Sequence, residues 1–385
     1  MAEGRSDGEE DDPNDIVPTS LTLTPETITS PPPLPILPFD VLTDILCMLP
    51  VKLLVQLRCL CKFFNSLISD PKFVKKHLQS STKRRHLMLT TIDHQQQFVM
   101  YDSPIPSLFS TSTIVAQTQL YPPNGDTYAS VKCSCDGIFL GMFSHTSYFL
   151  WNPSIRKFKL LPPLENQDKS APFTIIVPYT ISFGYDCFID KYKVIAVSSK
   201  NEVFLYTLGT DYWKRIDDIP YYCTICRSGL YVSGAVNWYV HDESDSSLYF
   251  ILSLDLENES YQELYPPDFE DESYSWTLGV LSDYLCVFAT SDMFLNVWIM
   301  KEYGNQESWT KLCSVPDMHD HGFQASAAVY ISEDDQLLLQ CYEFDSGEEK
   351  LVVYDSKTGI FNILEFQNNY EHISQKVYIE SLISP

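Results

Sequence analysis

The sequence feature that most restricts the fold is a strand unit that recurs six times beyond residue 85. Its signature is a short apolar strand that carries an aromatic or large residue near its end: FVMYD, YFLWN, VFLYT, ILSLD, LNVWI and LVVYD. Aligned on Tyr101, Trp151, Tyr206, Leu254, Trp298 and Tyr354, the units are spaced 50, 55, 48, 44 and 56 residues apart. Each is preceded by another apolar strand, such as DGIFLGMF, YKVIAVSS or QLLLQCYE, and most are followed by a third. Three or four short strands at such a period point to a β-propeller. One small twisted sheet cannot bury both faces, whereas a ring gives every sheet two neighbours and protects its edges. About six blades are expected, with the C-terminal VYIESLISP supplying a strand that helps to close the ring. A pair of β-sandwiches with coincidental spacing is the competing reading.

The front of the chain obeys a different period. Leu42, Ile45, Leu46 and Leu49 follow the i, i+3, i+4, i+7 pattern of one helix face. Pro38 suits a first helical turn, and Pro50 ends that helix and opens the next. Leu53, Leu54 and Leu57 stripe a second helix, and Leu60, Phe64, Leu67 and Ile68 a third. The turn SDP then precedes a short basic helix, KFVKKHL. Three such helices hold too little apolar surface for an independent core. Residues 1–36 are acidic, then Thr- and Pro-rich, and are expected to be a disordered tail.

These helices resemble the F-box motif of plant F-box proteins. The matching residues are Leu37 and Pro38, Ile45 and Leu46, Leu49 to Lys52, Leu57 to Cys59, Cys61 and Lys62, and SLISDPKF at 66–73. Phe64 stands where such motifs usually carry Trp, which keeps an aromatic anchor. The rest resembles the F-box-associated, kelch-like region found behind plant F-boxes. That resemblance rests on LWNPSIRKFKLLPP, FGYD with YKVIAV, VFLYTLGTDYWKRI, GAVNWYV and the terminal ESLISP. The paired glycines of true kelch blades are absent. The fold expected is thus multidomain and mainly β: a tail at 1–36, a small all-α F-box of three to four helices at 37–83, and a kelch-like propeller of about six blades at 84–385.

Charge is divided along the same lines. The whole chain carries −25: −7 over residues 1–36, +6 over 37–86 and −24 over 87–385. An acidic body argues against nonspecific nucleic-acid binding. The basic patch Lys72, Lys75, Lys76, Lys83, Arg84 and Arg85 suits either an acidic protein partner or a solvated linker. The acidic start is unlike a signal or transit peptide, and no apolar run reaches the length of a membrane span. Eleven cysteines, most of them in apolar runs, fit reduced thiols and a cytoplasmic or nuclear location.

Constellations for chemistry are weak. Cys223 and Cys226 have metal-ligand spacing but no second pair. His319 and His321 read as an exposed loop, and the Ser154-x-x-Lys157 spacing falls on the turn WNPSIRK. The chain is therefore read as a non-catalytic protein without metal or cofactor. The resemblance implies a substrate receptor of an SCF-type ubiquitin ligase. Its F-box would dock a Skp1-like adaptor, which links to cullin and RING subunits, and its propeller would bind a target protein at residues the sequence does not mark. The adaptor-docking candidates are Leu37, Pro38, Ile45, Leu46, Leu49, Pro50, Val51, Leu54, Leu57 and Leu67. Which of them form core and which form interface stays open at this level. The alternative from another class is a propeller that binds a small molecule or glycan, its helices serving some other protein contact.

Overall fold

The computed structural model describes residues 37–81, 84–92, 98–110, 114–121, 130–144, 147–164, 179–245, 248–269, 275–367 and 372–385. The expected disordered tail, residues 1–36, and Lys83 lie outside the described residues.

Four helices come first: α1 (Phe39–Cys47), α2 (Val51–Arg58), α3 (Lys62–Ser69) and α4 (Pro71–Ser80). Pro38 precedes α1 instead of sitting in its first turn, and its carbonyl accepts from Leu42 N at 3.0 Å. Pro50 caps α2 in an extended conformation. Asp70 caps α4, accepting from Lys72 N at 2.8 Å and Phe73 N at 3.3 Å, and Pro71 fills the position where an N–H is not needed. The last turn of α1 carries no basic residue of its own. The carbonyls at and just past its end are instead met from α4 and beyond: Arg84 donates to Cys47 O at 3.1 Å and Met48 O at 2.9 Å, and His77 Nε2 of α4 lies 3.0 Å from Leu49 O. A cation at a helix C-terminus also opposes the helix dipole.

Behind the helices stand six antiparallel sheets. Blade 2 contains Ser130–Cys135, Ile138–Ser144, Ser147–Asn152 and Lys157–Leu160. Blade 3 contains Thr180–Asp186, Lys191–Val197, Val203–Thr207 and Trp213–Arg215. In blade 4 the first strand is broken into Cys223–Ile225 and Leu230–Val232, followed by Ala235–Asp242, Tyr249–Asp255 and Ser260–Leu264. Blade 5 contains Ser275–Leu281, Tyr284–Thr290, Phe294–Met300 and Trp309–Pro316, and blade 6 Phe323–Ile331, Gln336–Glu343, Glu349–Asp355 and Ile360–Ile363. Blade 1 is composite. His372–Ile379 from the chain's end pairs with Arg85–Ile92, which continues to Phe98–Pro104 and Thr118–Leu120.

The ring closes through its cores. Met88 and Met100 of blade 1 pack with Phe139 and Phe149 of blade 2. Leu140 and Leu150 meet Phe183 and Tyr206 of blade 3, and Ile195 and Leu205 of that blade meet Trp238 and Leu252 of blade 4. Ile251 then joins Val287 of blade 5, Phe288 joins Leu339 of blade 6, and Leu338 and Val353 return to Leu87 and Leu89 of blade 1. The six alignment residues all fall in the third strand of their blades. What the sequence did not display is the first strand. These strands neighbour one another around the axis. Crowding there favours small residues over an apolar run: a Cβ on Gly279 would stand 2.2 Å from the Phe288 ring.

The turns from first to second strand share one chemistry. Asp136, Asp190, Ser233, Asp283 with its neighbour Ser282, and Asp335, in blades 2 to 6 in turn, are non-glycine residues at positive φ. Asp tolerates this region better than most residues because its short side chain bonds locally. Blade 1 has no such turn, because its first strand comes from the far end of the chain. The backbone from α4 enters at that place.

Candidate functional site

The ten docking candidates divide in two. Leu46, Val51 and Leu54 are buried with Cys47, Ile68 and Phe73 and form the helices' own small core. Leu37, Pro38, Ile45 and Pro50 are exposed, and Leu49, Leu57 and Leu67 are half-buried. Six apolar residues outside that set are also exposed: Phe39, Val41, Met48, Leu53, Leu60 and Phe63. Leu60, at 70 %, and Met48, at 68 %, show most of their surface to solvent. Helical periodicity could not separate these groups. It reveals that a face is apolar, not whether the same chain covers it. The stripe Leu42, Ile45, Leu46 and Leu49 is accordingly split, with Ile45 outward and Leu46 inward. So many large apolar side chains exposed on one short helical segment mark an interaction site.

The basic patch has a different fate. Lys75 Nζ lies 2.5 Å from Asp190 in the first turn of blade 3, and Lys76 Nζ lies 2.7 Å from Asp44 of α1. Arg85 Nη2 donates to both carboxylate oxygens of Asp283, in the first turn of blade 5, at 3.0 and 2.9 Å. Arg84 is spent on the carbonyls of α1 and on Ser81 Oγ at 2.8 Å. An acidic partner for this segment is therefore present within the chain, at the hairpin end of the propeller. The exposed Lys75 pair is screened by water and contributes little alone. The less exposed Arg85 contact holds more firmly. Hydrogen bonds from Lys75 and Tyr185 hold the Asp190 carboxyl below its ordinary range.

Two histidines flank this junction with opposite settings. Burial pushes His77 below its usual value and the Arg84 charge adds to this, outweighing the bond to Leu49 O. For His86 burial acts the same way, but the hydrogen bond and charge of Asp102, 3.0 Å away, outweigh it and raise the value. Asp102 also accepts from Tyr378 Oη at 2.9 Å, which ties the closing strand to its neighbours.

Little on the propeller is arranged for bond chemistry. Burial raises the Cys133, Cys286 and Cys341 thiols to about 12. Cys223 is buried and raised to about 11, while Cys226 is exposed. Among the described residues no group of three or more His, Cys, Asp or Glu converges to hold a metal ion. His319 and His321 lie exposed in a short 3-10 turn, with His319 bonded to Asp317 and stacked on Phe344. Lys157 Nζ reaches Ser384 Oγ at 3.4 Å.

The chain joins a short apolar helical module to a six-bladed propeller, both of them kinds of module that typically serve recognition and not catalysis. Residues 34–76 match the F-box domain and residues 87–385 match the F-box associated beta propeller domain. The chain belongs to this family of F-box proteins. It is 30 % identical over 373 residues to the F-box/kelch-repeat protein At3g23880 of Arabidopsis thaliana, covering 91 % of this chain and 96 % of that one. It is 26 % identical over 385 residues to the Arabidopsis F-box protein CPR1, covering 90 % and 88 %.

Proposed function

We propose that this protein is the substrate receptor of an SCF-type ubiquitin ligase. The carrying observation is the exposed apolar surface on helices whose basic side is held by the propeller. In this reading Leu37, Pro38, Ile45, Leu49 and Pro50, with Met48, Leu53 and Leu60, seat against a Skp1-like adaptor. Leu46, Val51 and Leu54 support that surface from beneath, and Leu57 and Leu67 border it. The adaptor links to cullin and RING subunits, and the propeller holds a target protein in the cytoplasm or nucleus. The receptor breaks no bond itself. It raises the effective concentration of target lysines near a charged conjugating enzyme. Co-purification with a Skp1-like protein tests the reading. The double variant Leu49→Asp, Pro50→Ala is expected to lose capture while its propeller melts as in the parent. Equal capture by both proteins refutes the docking assignment.

A further inference from the structure

The loop end of blade 4, opposite the end that holds the helices, has an unusual surface. From residue 228 to residue 300 there are thirteen Asp and Glu and no Lys or Arg; Asp255, Glu257, Glu259 and Asp283 of that run lie at the hairpin end, whereas Asp242, Glu243 and Glu263 lie at the loop end, bordered by Arg227. Three tyrosines stand exposed at that end: Tyr222 at 74 %, Tyr249 and Tyr265. Two aromatic groups gather there, one on each face of the blade 4 sheet. Tyr249 stacks on Tyr239 at 5.1 Å and lies 4.8 Å from the His241 ring, and Trp276 meets Tyr239 edge-on at 4.6 Å. On the other face the Tyr265 ring lies 6.3 Å from that of Phe250.

Two of the exposed tyrosines are each bonded to a carboxylate. Glu243 accepts from Thr224 Oγ1 at 2.5 Å and from the Tyr222 hydroxyl, and Glu263 accepts from Tyr265 Oη at 2.5 Å. These bonds fix the rings without neutralising the charge. Hydrogen bonds hold Glu243 and Asp242 below the ordinary carboxylate range. Among the described residues neither of them, nor Glu263, has a salt bridge to Lys or Arg. Anchored aromatic faces beside ionised, unpaired carboxylates suit a guanidinium, which stacks on a ring and donates to carboxylates at once. The same charge repels nucleic acids and anionic membranes.

We infer that the loop end of blade 4 is the target-docking surface and that it takes an Arg- or Lys-rich protein segment. This deepens the receptor reading and rests on it. Strand Ala235–Asp242 runs from the hairpin end to this patch, a span of about 23 Å at the usual rise per residue. The target would therefore sit a propeller's thickness away from the adaptor-docking helices.

The full chain, co-purified with a Skp1-like adaptor, is titrated with a fluorescein-labelled Arg-Ser-Gly repeat peptide and with its Glu-Ser-Gly counterpart, read by anisotropy. The basic peptide is expected to saturate the receptor, and the acidic one to give no signal. Tyr222→Ala with Tyr249→Ala should weaken binding by about tenfold or more. Glu243→Gln with Glu263→Gln, which preserves shape, should weaken it and flatten its salt dependence. Phe188→Ala with Tyr212→Ala, at the hairpin end, should leave it unchanged. No binding of the basic peptide, unchanged binding by both blade 4 variants, or an equal loss in the hairpin-end control overturns the inference. Adaptor capture is measured on the same samples. Its loss with peptide binding intact counts against the ligase reading alone, and its retention without peptide binding counts against the surface alone.

Discussion

Asn152 holds Ser381. From the end of the third strand of blade 2, its buried Nδ2 donates to Ser381 O at 3.0 Å, to Ser381 Oγ at 3.1 Å and to Ile383 O at 2.8 Å. Its Oδ1 accepts from Ser154 N at 2.9 Å. One amide therefore shapes the turn that follows it and latches a segment 229 residues further on. Replacement by Ala leaves buried acceptors unpaired. Asn152→Ala is expected to cost about 2–3 kcal/mol, read as a lower denaturant midpoint in urea titration.

The first turn of the same blade abuts the closing strand. Gly137 has φ +79°, and a Cβ there would stand 2.4 Å from Ile379 O. Gly234, in the equivalent turn of blade 4, has φ +86° and open space around it. Gly234→Ala should cost only the left-handed strain, about 1–2 kcal/mol. Gly137→Ala should cost more, because the closing strand must also shift. Parallel thermal melts of the two variants check the order, and equal midpoints contradict it.

Two carboxylates in the blade 3 turn should behave differently. Asp186 and Lys193 are both buried, 2.7 Å apart, and Lys193 also donates to Leu256 O of blade 4 at 2.5 Å. Burial alone would raise the Asp186 carboxyl, but Lys193 holds it below its usual range. Asp186→Asn leaves the buried Lys193 with Glu259, 3.7 Å away, as its remaining carboxylate and is expected to destabilise by about 3 kcal/mol. Asp190→Asn removes a solvent-exposed pair and should change stability by less than about 1 kcal/mol. Urea unfolding of each variant separates the two cases.

The histidines at the junction predict a pH optimum. His77 is depressed in the folded state, so its contribution is complete above the unfolded value of about 6.5 and disappears as pH falls through the lower folded value. His86 is raised, so its contribution is complete below about 6.5 and disappears as pH rises through the higher folded value. His77→Gln should remove part of the acid-side loss and His86→Gln part of the alkaline-side loss. Unfolding free energies measured across pH 5 to 8 would show the two limbs changing independently.

Within the helices, Leu54 and Leu60 should part company. Leu54 is fully buried, and Leu54→Ala is expected to cost about 2–5 kcal/mol. Leu60→Ser should leave stability within about 0.5 kcal/mol of the parent while reducing adaptor capture. Circular dichroism melts and pull-down on the same preparations check both outcomes.

The propeller was legible in the sequence wherever a blade buries both faces of a strand. Tyr206 and Leu254 sit in such strands, and an apolar run announces them. The first strands were hidden because, near the axis, small and half-covered residues stand in place of a continuous apolar run. Ser275–Leu281 is intermediate along most of its length, and Ser130–Cys135 alternates, with Val131, Cys133 and Cys135 buried. The helices showed their apolar stripes but not which side is covered, since Leu53 and Leu54 differ only in direction. The latch role of Asn152 was invisible, because WNPS reads fully as a turn. The blade 4 patch left a trace in the long run without a cation, though its tyrosines converge only once Asp242 and Tyr249 are brought to the same end.

The composite first blade sets an order of assembly. During synthesis the helices and Arg85–Ile92 appear early, whereas His372–Ile379 emerges only after the strands of the other five blades. Until it does, Arg85–Ile92 keeps an open inner edge, the kind of surface that recruits stray strands. A chain terminated before His372 would thus carry intact docking helices on an unclosed ring. Under the receptor reading it would occupy the adaptor while delivering nothing, so a late stop codon should act as a competitor of the intact protein and not merely as a loss of it.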